Sequence, residues 1–485
     1  VITLSLTEIA GSTHASTSPA DVPVTGNVVQ DSRLVTEGDL FVAIAGERTD
    51  GHRHVAAALA AGAAGALVQD ASVPVADGAD PSRLVVVPDT VAALGDLARH
   101  SLAALRGRRR TDVVAVTGSV GKTTTKDLLI DVLSARGELV APPGSLNNEV
   151  GLPLTVLRAG EQTATLVLEM GADRVGNLTY LTSVAPPDVA IVLAVGRAHL
   201  GHFGGIDNVA RTKSELVTGL RDGGVAVLNL DDHRVAAMAS LAPGRVLTFS
   251  ASGDETADLY ATGVELDAAG RASFSIHAPG GQSDVRLALV GRHHVANALA
   301  ATAAALALGE DVATVAGALA TAGPRSEHRT AVTELPGDVL LLDDSYNANP
   351  DSMRAGLAAL ESIAPGRRRL AVLGQMLELG DDSAAEHAGL VPELLDRKVE
   401  EVVVVGEEAA PLAAAAADAG IRTHDLTGRP AAEIAEAVRA LLAPGDALLL
   451  KGSKGSGVWE VADLLTSDTS ATSLPGTPGD GMMPA

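Results

Sequence analysis

The stretch Val113-Val114-Ala115-Val116-Thr117-Gly118-Ser119-Val120-Gly121-Lys122-Thr123-Thr124-Thr125 carries the densest chemistry in the chain. A β-branched run empties into a glycine loop, and the loop ends in Lys-Thr at the start of a helix. In that context successive backbone N–H groups and a helix N-terminus can face one anion. Lys122 can reach terminal phosphates, and the Thr123 hydroxyl can ligate Mg2+. Gly118, Ser119, Val120, Gly121, Lys122, Thr123 and Thr124 form the expected phosphate-binding loop. Val116 stands where the usual pattern has a small residue, so the match rests on Gly118, Gly121, Lys122 and Thr123.

Three more residues suit the same chemistry. Glu169 closes the apolar run Thr165-Leu166-Val167-Leu168. A carboxylate at the C-terminal end of a parallel strand, beside a phosphate loop, is well placed to hold Mg2+. His199 follows the apolar run 189–195 and arrives at the same edge. Lys213 recurs with Ile206, Val209, Ala210, Leu216 and Val217 at helical spacing, so it falls on an apolar face. An unpaired ammonium there is costly. Two readings stay open. Either the amine loses its proton and carbon dioxide carbamylates it to an anion able to ligate a cation, or the side chain snorkels past the helix edge. Only six of the 36 basic residues are lysines: Lys122, Lys126, Lys213, Lys398, Lys451 and Lys454. An amine that can shed its proton does what a guanidinium cannot, which singles out Lys213, Lys451 and Lys454 beside Lys122.

Positioning these groups requires a layered α/β architecture in three parts. Residues 1–108 alternate short apolar runs (39–44, 66–68, 84–87) with alanine-rich helices, the last over 90–105 with Asp89 or Thr90 as its cap. Asp31-Ser32-Arg33 and the loop 46–52 lie beside these strands as turns or binding loops. Residues 109–325 form a larger parallel-sheet unit around the phosphate loop. Its strands include 113–116, 165–168, 189–195, 225–229 and 287–290, the stretch 225–290 being read as short strands and turns. A helix follows His293 and His294. Residues 326–466 repeat a β–α alternation typical of a doubly wound, Rossmann-like sheet, with strands at 339–344, 370–373, 401–405 and 447–450. The tail 467–485, rich in Ser, Thr, Pro and Gly, is expected to be disordered.

Bulk properties narrow the class. A chain of 485 residues needs several cores. The net charge of −24 speaks against a general nucleic-acid surface. The basic run Arg106-Gly107-Arg108-Arg109-Arg110 reads as a solvated linker. No apolar run approaches a membrane span, the N-terminal Val1-Ile2-Thr3-Leu4-Ser5-Leu6 lacks a signal-peptide pattern, and there are no cysteines. A cytoplasmic monomer without membrane insertion is the expectation.

Taken together, these motifs resemble the ATP-dependent Mur ligases of peptidoglycan precursor synthesis over nearly the whole chain. Thr117 to Lys126 resembles their ATP loop, and Asn147-Asn148-Glu149-Val150-Gly151-Leu152-Pro153 their muramoyl-side loop. Asp343-Asp344-Ser345-Tyr346-Asn347-Ala348-Asn349-Pro350 resembles the branch that adds D-alanyl-D-alanine to UDP-N-acetylmuramoyl-tripeptide. Asp31-Ser32-Arg33, 38–44 and 50–52 resemble the UDP-binding module. The resemblance implies an amide-forming ligase working through an acyl phosphate. Lys122 would hold the γ-phosphate, Thr123 and Glu169 one Mg2+, and His199 with carbamylated Lys213 a second. His293 and Asn297 would lie in the nucleotide-contacting segment, Asn297 near adenine, with Arg325 and Asp344 closing over ATP. Ser32 and Arg33 would contact the uridine end, and Asn147, Asn148 and Glu149 the acceptor. Tyr346, Asn347 and Asn349 would line the dipeptide side, with Lys451, Ser453 and Lys454 for its carboxylate. His294 and Gln375 depart from the family pattern. Two alternatives stand beside this expectation: a diaminoacid-adding or folylpolyglutamate-type ligase of the same superfamily, and a catalytically idle nucleotide-binding scaffold.

Overall fold

The computed structural model describes residues 2–46, 49–196 and 203–470. Four short parallel strands, Val28–Val29, Leu40–Val42, Gly65–Val68 and Leu84–Val86, pair in chain order to make the N-terminal sheet. Leu40, Val42 and Leu67 face one apolar cluster, while Phe41, Ala66 and Val68 face another, the period-two alternation of a sheet covered on both sides. The helix Thr90–Arg108 follows, and the Asp89 carboxylate caps it by accepting from the Val91 and Ala92 amides.

This helix corrects the linker reading. Arg106 is largely buried and bonds Asp188 at 2.5 Å together with the carbonyls of Thr111 and Pro186. Arg108 pairs with Glu161 at 2.7 Å and Arg110 with Asp112 at 2.9 Å. The run fastens the helix to the next sheet; three of its four arginines pair with carboxylates and Arg109 bonds the Glu161 carbonyl, which composition alone does not reveal.

The central sheet has nine strands in the order 281–290, 271–278, 259–266, 245–250, 225–229, 189–192, 112–117, 163–169 and 138–140. Asp112–Thr117 lies inside it, parallel to both neighbours. Val113 and Ala115 pack to one face, Val114 and Val116 to the other. The register pairs Val116 with Glu169 and Thr117 with Val192, so three strand ends come level at one edge. The expected strand 189–195 stops pairing at Val192, because beyond it the chain bonds to the phosphate loop. There the Ser119 amide donates to the Ala194 carbonyl at 3.0 Å. The expected short strands before residue 290 are also corrected: Leu259–Leu266, Arg271–Ala278 and Gly281–Val290 form a long antiparallel meander.

The third sheet runs 331–335, 339–344, 447–451, 369–374, 399–405 and 422–425, parallel except for its first strand. Asp344 and Lys451 are in register at the ends of neighbouring strands. The helix Val458–Ser470 extends past the expected start of the tail, and 471–485 lie outside the described residues. Among the described residues no helix is long and apolar enough to cross a membrane.

Candidate active site

The phosphate loop leaves Thr117 and enters the helix Lys122–Val132 at Gly121, whose φ of 82° suits glycine. A Cβ on Gly121 would come within 2.5 Å of Asn297 Oδ1, so the helix His294–Ala307 sits directly on the loop. Lys122 Nζ donates back to the Gly118 carbonyl at 2.8 Å. Burial lowers its pKa from the ordinary lysine value, Glu169 works against that, and Arg329 adds to it.

The strand register delivers Glu169 to Thr123. Thr123 Oγ1 donates to Glu169 Oε2 at 2.9 Å, and Asn147 Nδ2 donates to Oε1 at 2.8 Å. Glu169 is thus buried with both oxygens engaged. Ser145 Oγ lies 3.1 Å from Thr123 Oγ1. Lys126, one turn along the helix, is buried against Asp127 at 2.8 Å and donates to the Pro142 and Gly144 carbonyls. It anchors the loop that carries Ser145 and Asn147. Asn148 Oδ1 accepts the Gly151 amide at 2.9 Å, and Glu149 Oε1 accepts from Asn177 at 2.8 Å.

Lys213 lies on the buried face of the helix Ile206–Thr218 with Val209, Leu216 and Val217, and is 5% exposed. Burial, and then the charge of Lys122, push its pKa well below the ordinary lysine value. No carboxylate among the described residues pairs with it. His199 lies outside the described residues.

The opposite wall belongs to the third sheet. Asn349 Nδ2 donates to the Ser119 carbonyl at 3.2 Å while its Oδ1 caps the helix Pro350–Ile363. Arg329 Nη2 lies 3.4 Å from Thr123 Oγ1, and its guanidinium stacks 4.3 Å from the Tyr346 ring centroid. Lys451 is 1% exposed and spends its ammonium on Asp344 Oδ2 at 2.5 Å and on the Asp344 and Asn347 carbonyls. Ser453 is buried too, bonding Ala348 and Leu377. His294 and Asn297 bond one another at 3.2 Å, and burial holds His294 well below the ordinary histidine range. Gln375 accepts the Glu408 amide at 3.3 Å, away from the phosphate loop.

Both walls enclose one cavity of about 620 Å3. Of the residues expected from sequence, it gathers Gly118 to Thr124, Asn147, Asn148, Glu149, Glu169, Lys213, Asn297, Asp344, Tyr346, Asn347, Asn349 and Lys451. Ser32 and Arg33 are elsewhere, in the N-terminal unit. Arg33 pairs with Asp31 at 2.6 Å and is 86% exposed, and the Asp31 carboxyl is pulled down to about 2 by that bond. Lys454 stands at the rim, 5.7 Å from the Tyr346 ring centroid. Arg325 is a correction: it bonds Asp131 on the far end of the phosphate-loop helix and does not line the cavity.

Three Mur ligase family models match this chain: the family catalytic domain over residues 26–102, the middle domain over 116–305, and the glutamate ligase domain over 328–454. The UDP-N-acetylmuramoyl-tripeptide–D-alanyl-D-alanine ligase of Mycobacterium tuberculosis is 43% identical, covering 97% of this chain and 98% of its own. The chain belongs to the Mur ligase family. Among solved structures, MurF from Acinetobacter baumannii superposes with a TM-score of 0.82 at 32% identity, covering 95% of this chain and 98% of its own. MurF from Thermotoga maritima, solved in complex with ADP, gives 0.77 at 30% identity, covering 92% and 99%.

The architecture of this Mur ligase brings in residues that sequence reasoning passed over. Arg329, four residues beyond Arg325 in the same connector, lines the cavity where Arg325 does not. A basic residue immediately before the first strand of the third sheet was the available signal. Ser145 also lines the cavity, and nothing in its spacing marks it; His293, expected from the resemblance, lines it too.

Proposed function

We propose that this Mur ligase joins D-alanyl-D-alanine to the peptide carboxylate of UDP-N-acetylmuramoyl-tripeptide at the expense of ATP. The observation that carries this reading is the end-to-end match to ligases of that name, and the two-walled cavity supports it. A carboxylate is a poor acylating agent. Transfer of the γ-phosphoryl group, with ADP as leaving group, makes it an acyl phosphate; the dipeptide amine attacks the acyl carbon and loses a proton, and phosphate leaves with the electron pair of the broken C–O bond.

The residues divide the work. The loop N–H groups from Gly118 to Thr124 and Lys122 hold the phosphates, with Asn297 toward the base and Asp344 on the closing side. Arg329, lying on Thr123, adds a second cation to the same phosphate end. Asn147, Asn148 and Glu149 line the acceptor side, with Ser32 and Arg33 at the uridine end. Tyr346, Asn347 and Asn349 border the dipeptide. Lys454 is the better candidate for its carboxylate, since Lys451 is committed to Asp344.

Thr123 and Glu169 form a buried hydroxyl–carboxylate pair at 2.9 Å, an all-oxygen donor set that suits Mg2+ completed by phosphate oxygens and water. No cluster of three His, Cys, Asp or Glu occurs among the described residues. A bound Mg2+ supplies charge neutralisation between phosphate and carboxylate. Lys213, buried and without an acid partner among the described residues, fits carbamylation: the product would replace repulsion from Lys122 by attraction, and its oxygens, with His199, would be available to a second ion.

Phosphate release with ATP, Mg2+, UDP-N-acetylmuramoyl-tripeptide and D-alanyl-D-alanine tests the reading. Release that depends on all four supports it. Release with a free diaminoacid in place of the dipeptide would move the chain to the neighbouring ligase, and ATP binding without any release would leave only a scaffold.

A further inference from the structure

The connector that brings Arg329 into the cavity is unusual. His328 has φ of 56° and Thr330 has φ of 51°, so two non-glycine residues flanking the arginine are left-handed. For a β-branched threonine that is an outlier, and such geometry persists only where the surroundings over-determine it.

The surroundings supply two carboxylates, Asp343 against Nδ1 and, more loosely at 3.7 Å from Nε2, the half-exposed Asp463. His328 Nδ1 lies 2.7 Å from Asp343 Oδ2, and the imidazole leans on the Trp459 ring at 6.0 Å between centroids. The other Asp343 oxygen accepts from the Ser345 amide at 3.1 Å and its hydroxyl at 2.5 Å. That sets the turn from which Tyr346 rises, and the Tyr346 amide closes the circuit by donating to the His328 carbonyl at 3.2 Å. Arg329 and Tyr346, which stack on each other, therefore have their backbones tied to the same buried acid.

We propose that His328 and Asp343 are positioning residues: their bond holds the connector in its left-handed form and so sets Arg329 over Tyr346 and against Thr123. This rests on reading the cavity as the ATP site. Asp343 thereby acts differently from its neighbour Asp344, which is paired with Lys451 and lines the cavity.

Three substitutions separate side chain from backbone. Asparagine tolerates the left-handed region and can donate to Asp343 through Nδ2. Glycine accepts the backbone and loses the donor, and alanine loses both. In the full-length protein, His328→Ala and His328→Gly should each raise the KM for ATP by about tenfold with a smaller change in kcat. His328→Asn should recover most of that loss. Backbone amide exchange at 326–330 and 345–347, followed by mass spectrometry without any substrate, should quicken in the Ala and Gly variants and stay near the parent rate in Asn. Parent-like exchange and KM in both Ala and Gly would overturn the proposal, as would an Asn variant no better than Gly. The exchange readout needs no turnover, so it stands if the ligase assay itself fails.

Discussion

Lys213 and Lys122 line one cavity, and the charge of Lys122 adds to burial in holding Lys213 well below the ordinary lysine range. With no acid to pair it among the described residues, the Lys213 amine is disposed to neutrality and so to reaction with carbon dioxide. If its carbamate holds a second ion as proposed, Lys213→Ala should lower phosphate release by on the order of 100-fold. Added acetate or formate should restore part of it. Full activity in the variant, or no rescue at any carboxylate concentration, would count against a carbamate.

The same residue sets a pH dependence of stability. Its folded pKa lies below its unfolded one, so between those two values the unfolded chain binds a proton that the folded chain gives up. Stability from this group therefore rises with pH until the ordinary lysine value is passed. In carbon-dioxide-free buffer, Lys213→Met should be more stable than the parent at pH 7 by on the order of 1 kcal/mol. Urea unfolding at pH 7 and again near pH 10 should show the gain shrinking; a gain that grows with pH would contradict the argument.

Arg325 and Arg329 differ in the structure although they share a connector. Arg325 pairs on the surface with Asp131, and exposed pairs contribute about 0–1 kcal/mol. Arg325→Ala should leave the steady-state constants close to the parent's. Arg329→Ala removes a cation beside Thr123 and should cost about 100-fold in kcat/KM for ATP. Equal effects from the two variants would mean that the connector acts as a unit and that Arg329 has no particular place.

Legibility from sequence followed the length and regularity of each signal. The strand 339–344 and the lysine-bearing helix face were readable because apolar periodicity is dense there, and the phosphate loop because glycine spacing dictates backbone path. Arg106 and Arg325 were misjudged for a shared reason. Their partners, Asp188 and Asp131, are distant in sequence, and a charge with an unseen partner looks solvated or free. Arg329 was missed because its place depends on two left-handed residues and on Asp343, none of which has a local pattern. Asp344 and Lys451 were each marked as ligand-binding, whereas the strand register sets them against each other.

That last pair yields the sharpest contrast among the lysines. Lys451 is 1% exposed and bonds Asp344 and two carbonyls, whereas Lys454, three residues on, is exposed above Tyr346. Removing one member of a buried, hydrogen-bonded ion pair costs about 3–5 kcal/mol, because the other charge is left without compensation. Lys451→Met should therefore destabilise the C-terminal unit by that order. Asp344→Asn in the same background should return part of the loss, since it removes the stranded charge. Lys454→Ala should leave unfolding unchanged and raise the KM for D-alanyl-D-alanine, with little effect on the KM for ATP. Denaturant unfolding and dipeptide titrations on the three proteins separate a structural lysine from a substrate-facing one. If Lys451→Met kept full stability and lost only dipeptide affinity, the two assignments would have to be exchanged.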